Sequence, residues 1–301
     1  MKRAGNLFER IADRDNLRLA FSKAVRGKRD RRDARNFAEH LEANLQAMRQ
    51  GLLRGNVPVG RFHQFVIHDP KERVITAPCF EERVLHHAIM TVCEPVFERW
   101  LIADTYACRV GKGRLAALDC ARQFAHRFPV FLKLDIRKYF DSISHDELLR
   151  RLACLFKDRR LLELLERIIR SFRGPVGRGV PIGSLTSQHL ANFYLGWFDR
   201  FAKEQIRAKG YVRYMDDMVL WCDSPHVLSE HLTASRNFLN RELMLDLKES
   251  PYINRAGHGM DFLGCRVFPR QLALNRRSRT RFRRKLVALD AALARASMLS
   301  C

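Results

Sequence analysis

The sequence predicts an α+β fold, on three observations. Several segments of ten or more residues carry apolar side chains at helical spacing. Short apolar runs of strand length lie between them. The two kinds of segment alternate without the regular strand–helix–strand rhythm of a doubly wound sheet.

Each element has its own reason. Leu41, Leu45, Met48 and Leu52 share one face of a helix over Phe37 to Leu53, which Gly55 ends. Phe62 to Ile67 and Arg73 to Ala77 read as strands around an Asp69-Pro70 turn. Phe80 to Trp100 is helical, and Pro95 is expected to kink or break it. Arg114 to Phe128 is a helix, and Val130 to Ile136 is a strand-length apolar run. Ser144 and Glu147 form a capping box that opens another helix. Leu161 to Phe172 is helical, and Gly174 to Gly183 is a Gly/Pro-rich loop. Ser184 to Ala208 reads as one long helix with apolar residues on several faces. Tyr211 to Trp221 reads as two short strands with Asp216 and Asp217 at the bend. Leu228 to Leu243 is helical, Arg266 to Leu274 suggests a strand, and Arg277 to Ala296 is a final basic helix.

Charge narrows the function. Fifty-five Lys and Arg stand against 33 Asp and Glu, a net charge of +22, and 43 of the cations are Arg. Guanidinium groups make bidentate phosphate contacts and stack on bases, so a polyanion is the expected partner. A solvated basic surface is the alternative. The cations concentrate in Arg26 to Arg35 and in Asn275 to Lys285, where seven fall in eleven residues. A hydrophobic content of 47% with 20 Phe excludes wholesale disorder, and 301 residues suit one large domain or two or three smaller ones. The basic start is followed by no apolar run, and no stretch approaches the roughly 18 apolar residues of a membrane span. Neither a secretory signal nor a membrane span is expected. Eight Cys include no CxxC pair, which fits reduced thiols in a cytoplasmic protein rather than structural zinc.

Two acidic positions are costly where they stand. Asp216 and Asp217 are adjacent carboxylates among Tyr214, Met215, Met218, Val219 and Leu220. Burying like charges is unfavourable unless a cation neutralises them. Taken alone, such a pair also fits a solvated turn. Asp135 ends the apolar run Phe131 to Leu134, where a helix cap or a salt bridge is the alternative. If the two strands are neighbours in one sheet, Asp135 and Asp216 converge on a site that suits Mg²⁺.

The order of these blocks resembles the palm of a reverse transcriptase. Asp135 to Phe140 resembles motif A, and Gly179 to Gln188 with Ala191-Asn192 resembles motif B. Tyr214 to Asp217 resembles the YxDD box of motif C, and Phe262-Leu263-Gly264 resembles the primer-grip hairpin. Asp69 to Ile75, Phe80 to Val84, and Asp104 to Arg109 with Gly111-Lys112-Gly113 resemble the upstream blocks. The match runs from about residue 60 to 270, in the family's order. Group II intron and retron enzymes usually place Pro after the motif B Ser; here Gln188 follows Ser187, as in diversity-generating retroelements and some defence-associated relatives.

The resemblance implies a right-hand polymerase of fingers, palm and a short helical thumb. It implies a basic helical extension over 1–55, fingers over 56–130, palm over 131–264 with a fingers insertion at about 150–183, and a basic thumb over 265–301. It makes Asp135, Asp216 and Asp217 the catalytic carboxylates, holding two Mg²⁺ ions, with Mn²⁺ as the alternative, and the Ile136 carbonyl nearby. Asp135 and Asp216 are expected to bind metal most directly, because neighbours on a strand point to opposite faces. Phe140 stands at the steric gate that favours dNTPs. Arg73 and Arg83 are candidate triphosphate clamps, although Glu81 and Glu82 offer Arg83 a salt bridge instead. Ile182, Gly183 and Gln188 would border the nascent base pair, and Lys248 would protonate pyrophosphate or simply be solvated. Arg276, Arg277, Arg279, Arg281, Arg283, Arg284 and Lys285 would follow a duplex backbone, or form a basic tail. His86 and His87 show no acid–base partner in the sequence and read as structural.

The expected activity is RNA-directed DNA synthesis, in error-prone copying of a retroelement's template RNA. Template RNA, primer, cDNA product, dNTPs and a small basic accessory protein are the expected partners. An antiphage-defence reverse transcriptase and a non-catalytic RNA-binding relative are the alternatives.

Overall fold

The computed structural model describes residues 2–68, 72–172, 174, 176–249 and 251–298. Its elements run α1 (Phe8–Ile11), α2 (Arg14–Ala24), α3 (Arg32–Glu39), α4 (Leu41–Leu53), β1 (Phe62–His68), β2 (Glu72–Pro78), α5 (Phe80–Trp100), α6 (Arg114–Arg127), β3 (Val130–Asp135) and α7 (Tyr139–Ser142). There follow α8 (His145–Leu155), α9 (Arg159–Arg170), α10 (Leu185–Arg200), β4 (Gly210–Tyr214), β5 (Asp217–Cys222), α11 (Pro225–Leu243), β6 (Tyr252–Arg255), β7 (Met260–Phe262), β8 (Cys265–Val267), β9 (Leu272–Leu274) and α12 (Arg276–Met298). The chain divides into two compact units. The first holds Met1–Ala103, Ile136–Phe201 and Arg236–Leu247; the second holds Asp104–Asp135, Ala202–Ser235 and Lys248–Cys301.

In the first unit, α5 is the central rod. Thirteen of its residues are buried, which explains why it continues through Pro95 to Trp100 instead of breaking there. Packing on α2 and α10 offsets the roughly 3 kcal/mol that an interior proline costs. The rings of Phe21, Phe37 and Phe80 meet at 5.5–6.2 Å, and Trp100 lies 4.8 Å from Phe193. The helix expected over Phe37 to Leu53 is interrupted at His40, because the Asn44 side chain donates to the Phe37 carbonyl and closes α3 there. Ser144 caps α8 by accepting from the Glu147 amide, as its spacing predicts. α10 ends at Arg200 in a wider turn over Phe201–Gln205, where Phe201 stacks on Phe238 at 4.2 Å. β1 and β2 form an antiparallel hairpin. Its Asp69-Pro70 turn, like Pro175 of the Gly/Pro-rich loop, lies outside the described residues.

In the second unit, the sheet order is β4-β5-β3-β6, antiparallel throughout. Phe131, Val212, Val219 and Trp221 pack against Ala117, Leu118, Ala121 and Ala125 of α6. The small Ala face lets α6 lie close to the sheet. β7, β8 and β9 form a second sheet that adds Met260, Phe262 and Val267 to the same core. Arg266 to Leu274 is thus two strands, because the chain reverses at Pro269, where the Phe268 amide donates to the Gln271 carbonyl.

Candidate active site

The site forms where β3 ends and β5 begins. Both strands are buried on both faces, so each is mostly apolar, with Lys133 the exception within β3, and the acids stand at one end of the pairing. Asp135 lies directly opposite Asp217 in the antiparallel register. Such cross-strand partners hold their Cβ atoms about 5 Å apart. Met215 and Asp216 form the two-residue turn between Tyr214 and Asp217. Met215 has φ +55°, uncommon for a residue with a side chain and typical of strain kept at reacting sites. The fully buried Arg213 donates from Nη1 to the Met215 carbonyl at 3.0 Å and holds the turn.

Each cross-strand acid carries a lysine. Lys248 Nζ donates to Asp135 Oδ2 at 2.5 Å, and its amide donates to the Asp135 carbonyl at 2.9 Å. Lys133 stands two residues before Asp135, on the same face of β3. Its ammonium lies 3.0 Å from Asp217 Oδ1, donates to Oδ2 at 3.3 Å and donates to the Asp261 carbonyl at 2.6 Å. Oδ1 of Asp135 and Oδ1 of Asp217 are sealed from solvent and accept no hydrogen bond, even though the second lies close to the ammonium. Burial pushes the Asp217 carboxyl up to about 6; Lys133 opposes the rise, and Asp135 and Asp216 add to it. Asp217 therefore feels both other acids.

A divalent cation fits the chemistry of this donor set. The donors are hard carboxylate oxygens, two of them buried without a hydrogen bond, which is what Mg²⁺ takes. Among the described residues no three His, Cys, Asp or Glu side chains group closely enough to enclose a metal by themselves. The remaining ligands would have to be water or substrate oxygens, and Lys133 and Lys248 would have to yield.

The ranking of Asp216 over Asp217 rests on strand alternation, and the structure removes that premise. Asp216 lies in the turn, outside the strand, and Asp217 is the residue that faces Asp135 across the sheet. Phe262-Leu263-Gly264 ends β7 and turns into β8, with φ +48° at Leu263 and +80° at Gly264. Phe262 is buried, and the Lys133 ammonium lies 5.8 Å from its ring. The seven cations of α12 are exposed.

The remaining predicted residues belong to the first unit. Ile136 is buried and pairs with Leu247. Phe140 is half-buried on α7 beside Tyr139, and its carbonyl accepts the Val180 amide at 2.9 Å. Arg73 is exposed on β2, with no ion pair among the described residues. Arg83 pairs with neither Glu81 nor Glu82. It is half-buried, its Nε donates to the Ala24 carbonyl at 3.1 Å, and burial together with Arg31 lowers its pKa. Glu81 pairs instead with Arg61 at 3.0 Å. Ile182 and Gly183 form the turn before α10. The Ile182 carbonyl accepts the Thr76 amide at 2.7 Å, and Gly183 has φ +120°. A Cβ on Gly183 would lie 2.7 Å from Ile75 Cγ2, so that position requires glycine. Gln188 is exposed on the first turn of α10.

His86 corrects the sequence reading, because it does have partners. Its Nε2 faces Glu82 at 3.5 Å and its Nδ1 faces Ser184 Oγ at 3.1 Å. Glu82 precedes it by four residues on α5, a spacing visible in the sequence. Lys133 was also legible, since strand period two puts it beside Asp135. His87, like His86, has a buried Nε2 with no hydrogen-bond partner.

Known proteins match this architecture. The family model for reverse transcriptase (RNA-dependent DNA polymerase) matches residues 68–266, well over half of the chain. Protein YkfC of Escherichia coli (strain K12) is 24% identical over 280 residues, covering 75% of this chain and 72% of that protein. The group II intron-encoded protein LtrA of Lactococcus lactis subsp. cremoris is 22% identical over 169 residues, 54% of this chain. A structure of telomerase from Candida Tropicalis in complex with a TWJ fragment of telomeric RNA superposes with a TM-score of 0.52 at 13% identity, over 72% of this chain. The chain spans 28% of LtrA and 45% of that telomerase chain. The telomerase likeness shows a shared right-hand polymerase fold. With acids facing each other across the β3–β5 pair and the family model spanning both strands, this chain belongs to the reverse transcriptase family.

Proposed function

We propose that this chain is an RNA-directed DNA polymerase that extends a primer on an RNA template with dNTPs. One observation carries the reading: Asp217 faces Asp135 across the sheet, with Asp216 in the adjoining turn. Burial raises the Asp217 carboxyl, Asp135 and Asp216 add to the rise, and acids so grouped are unfavourable unless a cation neutralises them. Bound Mg²⁺ or Mn²⁺ would supply that neutralisation and make the primer 3′-hydroxyl more acidic.

The chain's own residues take the other roles. Asp135 and Asp217 orient the reacting groups, supported by Asp216 and the Ile136 carbonyl. Lys248 leaves Asp135 and gives its proton to the departing pyrophosphate. Arg73 and Arg83 draw in the triphosphate, and Phe140 excludes a ribose 2′-hydroxyl. Ile182, Gly183 and Gln188 border the new base pair. Phe262, Leu263 and Gly264 hold the primer end, and the cations from Arg276 to Lys285 track the duplex backbone. In this reading 1–55 is an N-terminal extension, 56–130 fingers, 131–264 palm with its insertion at about 150–183, and 265–301 a thumb.

Gln188 after Ser187 favours error-prone copying of a diversity-generating template, with a small basic accessory protein. The same run favours antiphage defence as the second reading. A binding-only relative would have no physical need for three acids held together.

Primer extension on an RNA template with Mg²⁺ tests the proposal. Extension with dNTPs, absent from Asp216→Asn/Asp217→Asn, is expected. Extension with NTPs alone would overturn the role of Phe140. RNA binding without extension under any nucleotide condition would overturn the polymerase reading.

A further inference from the structure

Four polar side chains are buried together in the first unit, and none has a role in the reading above: Glu82, His86, Ser184 and Thr186. They form a chain. Glu82 Oε1 accepts the Gly60 amide at 3.0 Å, and its Oε2 accepts the Arg61 amide at 2.9 Å. Oε1 also faces His86 Nε2 at 3.5 Å, an ion-pair contact and not a hydrogen bond, so this link of the chain is electrostatic. His86 Nδ1 faces Ser184 Oγ at 3.1 Å, and Ser184 Oγ lies 2.8 Å from Thr186 Oγ1. Burial raises the Glu82 carboxyl, but His86 and the two amides more than offset this and hold it below the usual range. Glu82 is therefore a charged anchor fixed to the backbone at Gly60 and Arg61.

Ser184 is the informative member. It occupies the N-cap position of α10, where a serine hydroxyl ordinarily accepts an amide of the first turn. Here it makes no such bond. Its hydroxyl is turned to His86 and Thr186 instead. The two residues before it are Ile182 and Gly183, held on their other side by the Thr76 amide on the Ile182 carbonyl. The turn is thus clamped between β2 and α5. A helix cap gives up its ordinary partner so that the turn is tied to a buried charge.

We propose that Glu82, His86 and Ser184 form a positioning relay that holds the Ile182–Gly183 turn in the conformation that accepts the incoming nucleotide. The relay rests on the polymerase reading for what the turn contacts. It does not rest on it for the turn's rigidity, so the two can fail separately.

The test uses the full chain with Ser184→Ala, His86→Asn and the double variant. Primer extension on an RNA template is measured against dNTP concentration, and thermal melting checks that each variant folds. Each single variant should raise the dNTP KM about fivefold to tenfold with kcat changed less than about twofold, the size expected for one buried hydrogen bond. The double variant should raise KM no more than the worse single one, because the groups act in series. Multiplying effects, or an unchanged KM in a folded variant, would overturn the relay. Hydrogen exchange without nucleotide gives a second readout. Amides of 182–187 should exchange about tenfold faster in Ser184→Ala than in wild type, while β3 and β5 are unaffected. Unchanged exchange at 182–187 would overturn the relay even if extension is slowed. If wild type fails to extend any primer, the polymerase reading fails and exchange alone decides the relay.

Discussion

His87 makes the stability of this chain depend on pH, and the size of the effect follows from its surroundings. Burial lowers its pKa from 6.5 to about 4, helped by the neighbouring charges of Arg83 and Lys23 and by His86 and His189. A histidine in the unfolded chain takes up a proton near pH 6.5, whereas the folded one resists until about pH 4. Between these values the unfolded state binds more protons, so stability is complete above about 6.5 and is lost as pH falls toward 4. At pH 5 the difference is about 2 kcal/mol, and partial exposure of the ring reduces it to about 1–2 kcal/mol. His87→Leu removes the titrating group. Its Nε2 has no hydrogen-bond partner to lose, so packing alone sets the offset at neutral pH. Urea unfolding of wild type and His87→Leu at pH 7.5, 6 and 5, without divalent ions, measures the slope. The variant should lose about 1–2 kcal/mol less than wild type between pH 7.5 and 5. Parallel losses, within about 0.5 kcal/mol, would refute the reasoning.

Further predictions address other parts of the chain. Gly183→Ala should destabilise the first unit by about 2–4 kcal/mol, from positive φ and the Ile75 contact together, read by urea unfolding. Arg151→Ala should cost about 3 kcal/mol in the same assay, because it leaves buried Glu147 with Arg150 alone and removes a cation stacked 4.3 Å from the Trp197 ring. Lys133→Met should tighten Mn²⁺ binding by roughly tenfold or more in a paramagnetic resonance titration, since the ammonium no longer competes for Asp217. An unchanged affinity would show that the lysine and the ion do not share the site.

Much of this chain was legible from residue order. The strand-length run ending in Asp135 was legible, because β3 is buried on both faces; that Asp217 belongs to the second strand and not, with Asp216, to the bend was not. The Ser144 cap was also legible, because it is a local rule of spacing. The long helix through Pro95 was not, since burial on several sides overrode a local rule. Nor was the two-strand form of Arg266 to Leu274, although Pro269 was the signal for it.

What the sequence determined by itself was composition, periodicity and motif order, and these were enough for the α+β class and the family. Each is a property of residues near one another in the chain. The tertiary structure alone decided that Asp217, not Asp216, faces Asp135, because register is set by how two strands pair over 82 residues of separation, Asp135 to Asp217. It decided that Lys133 reaches Asp217 and the Asp261 carbonyl, and that His86 hydrogen-bonds a serine 98 residues away. Buried polar groups find whatever partner the packed fold brings within about 3 Å, and a linear pattern carries no record of that distance.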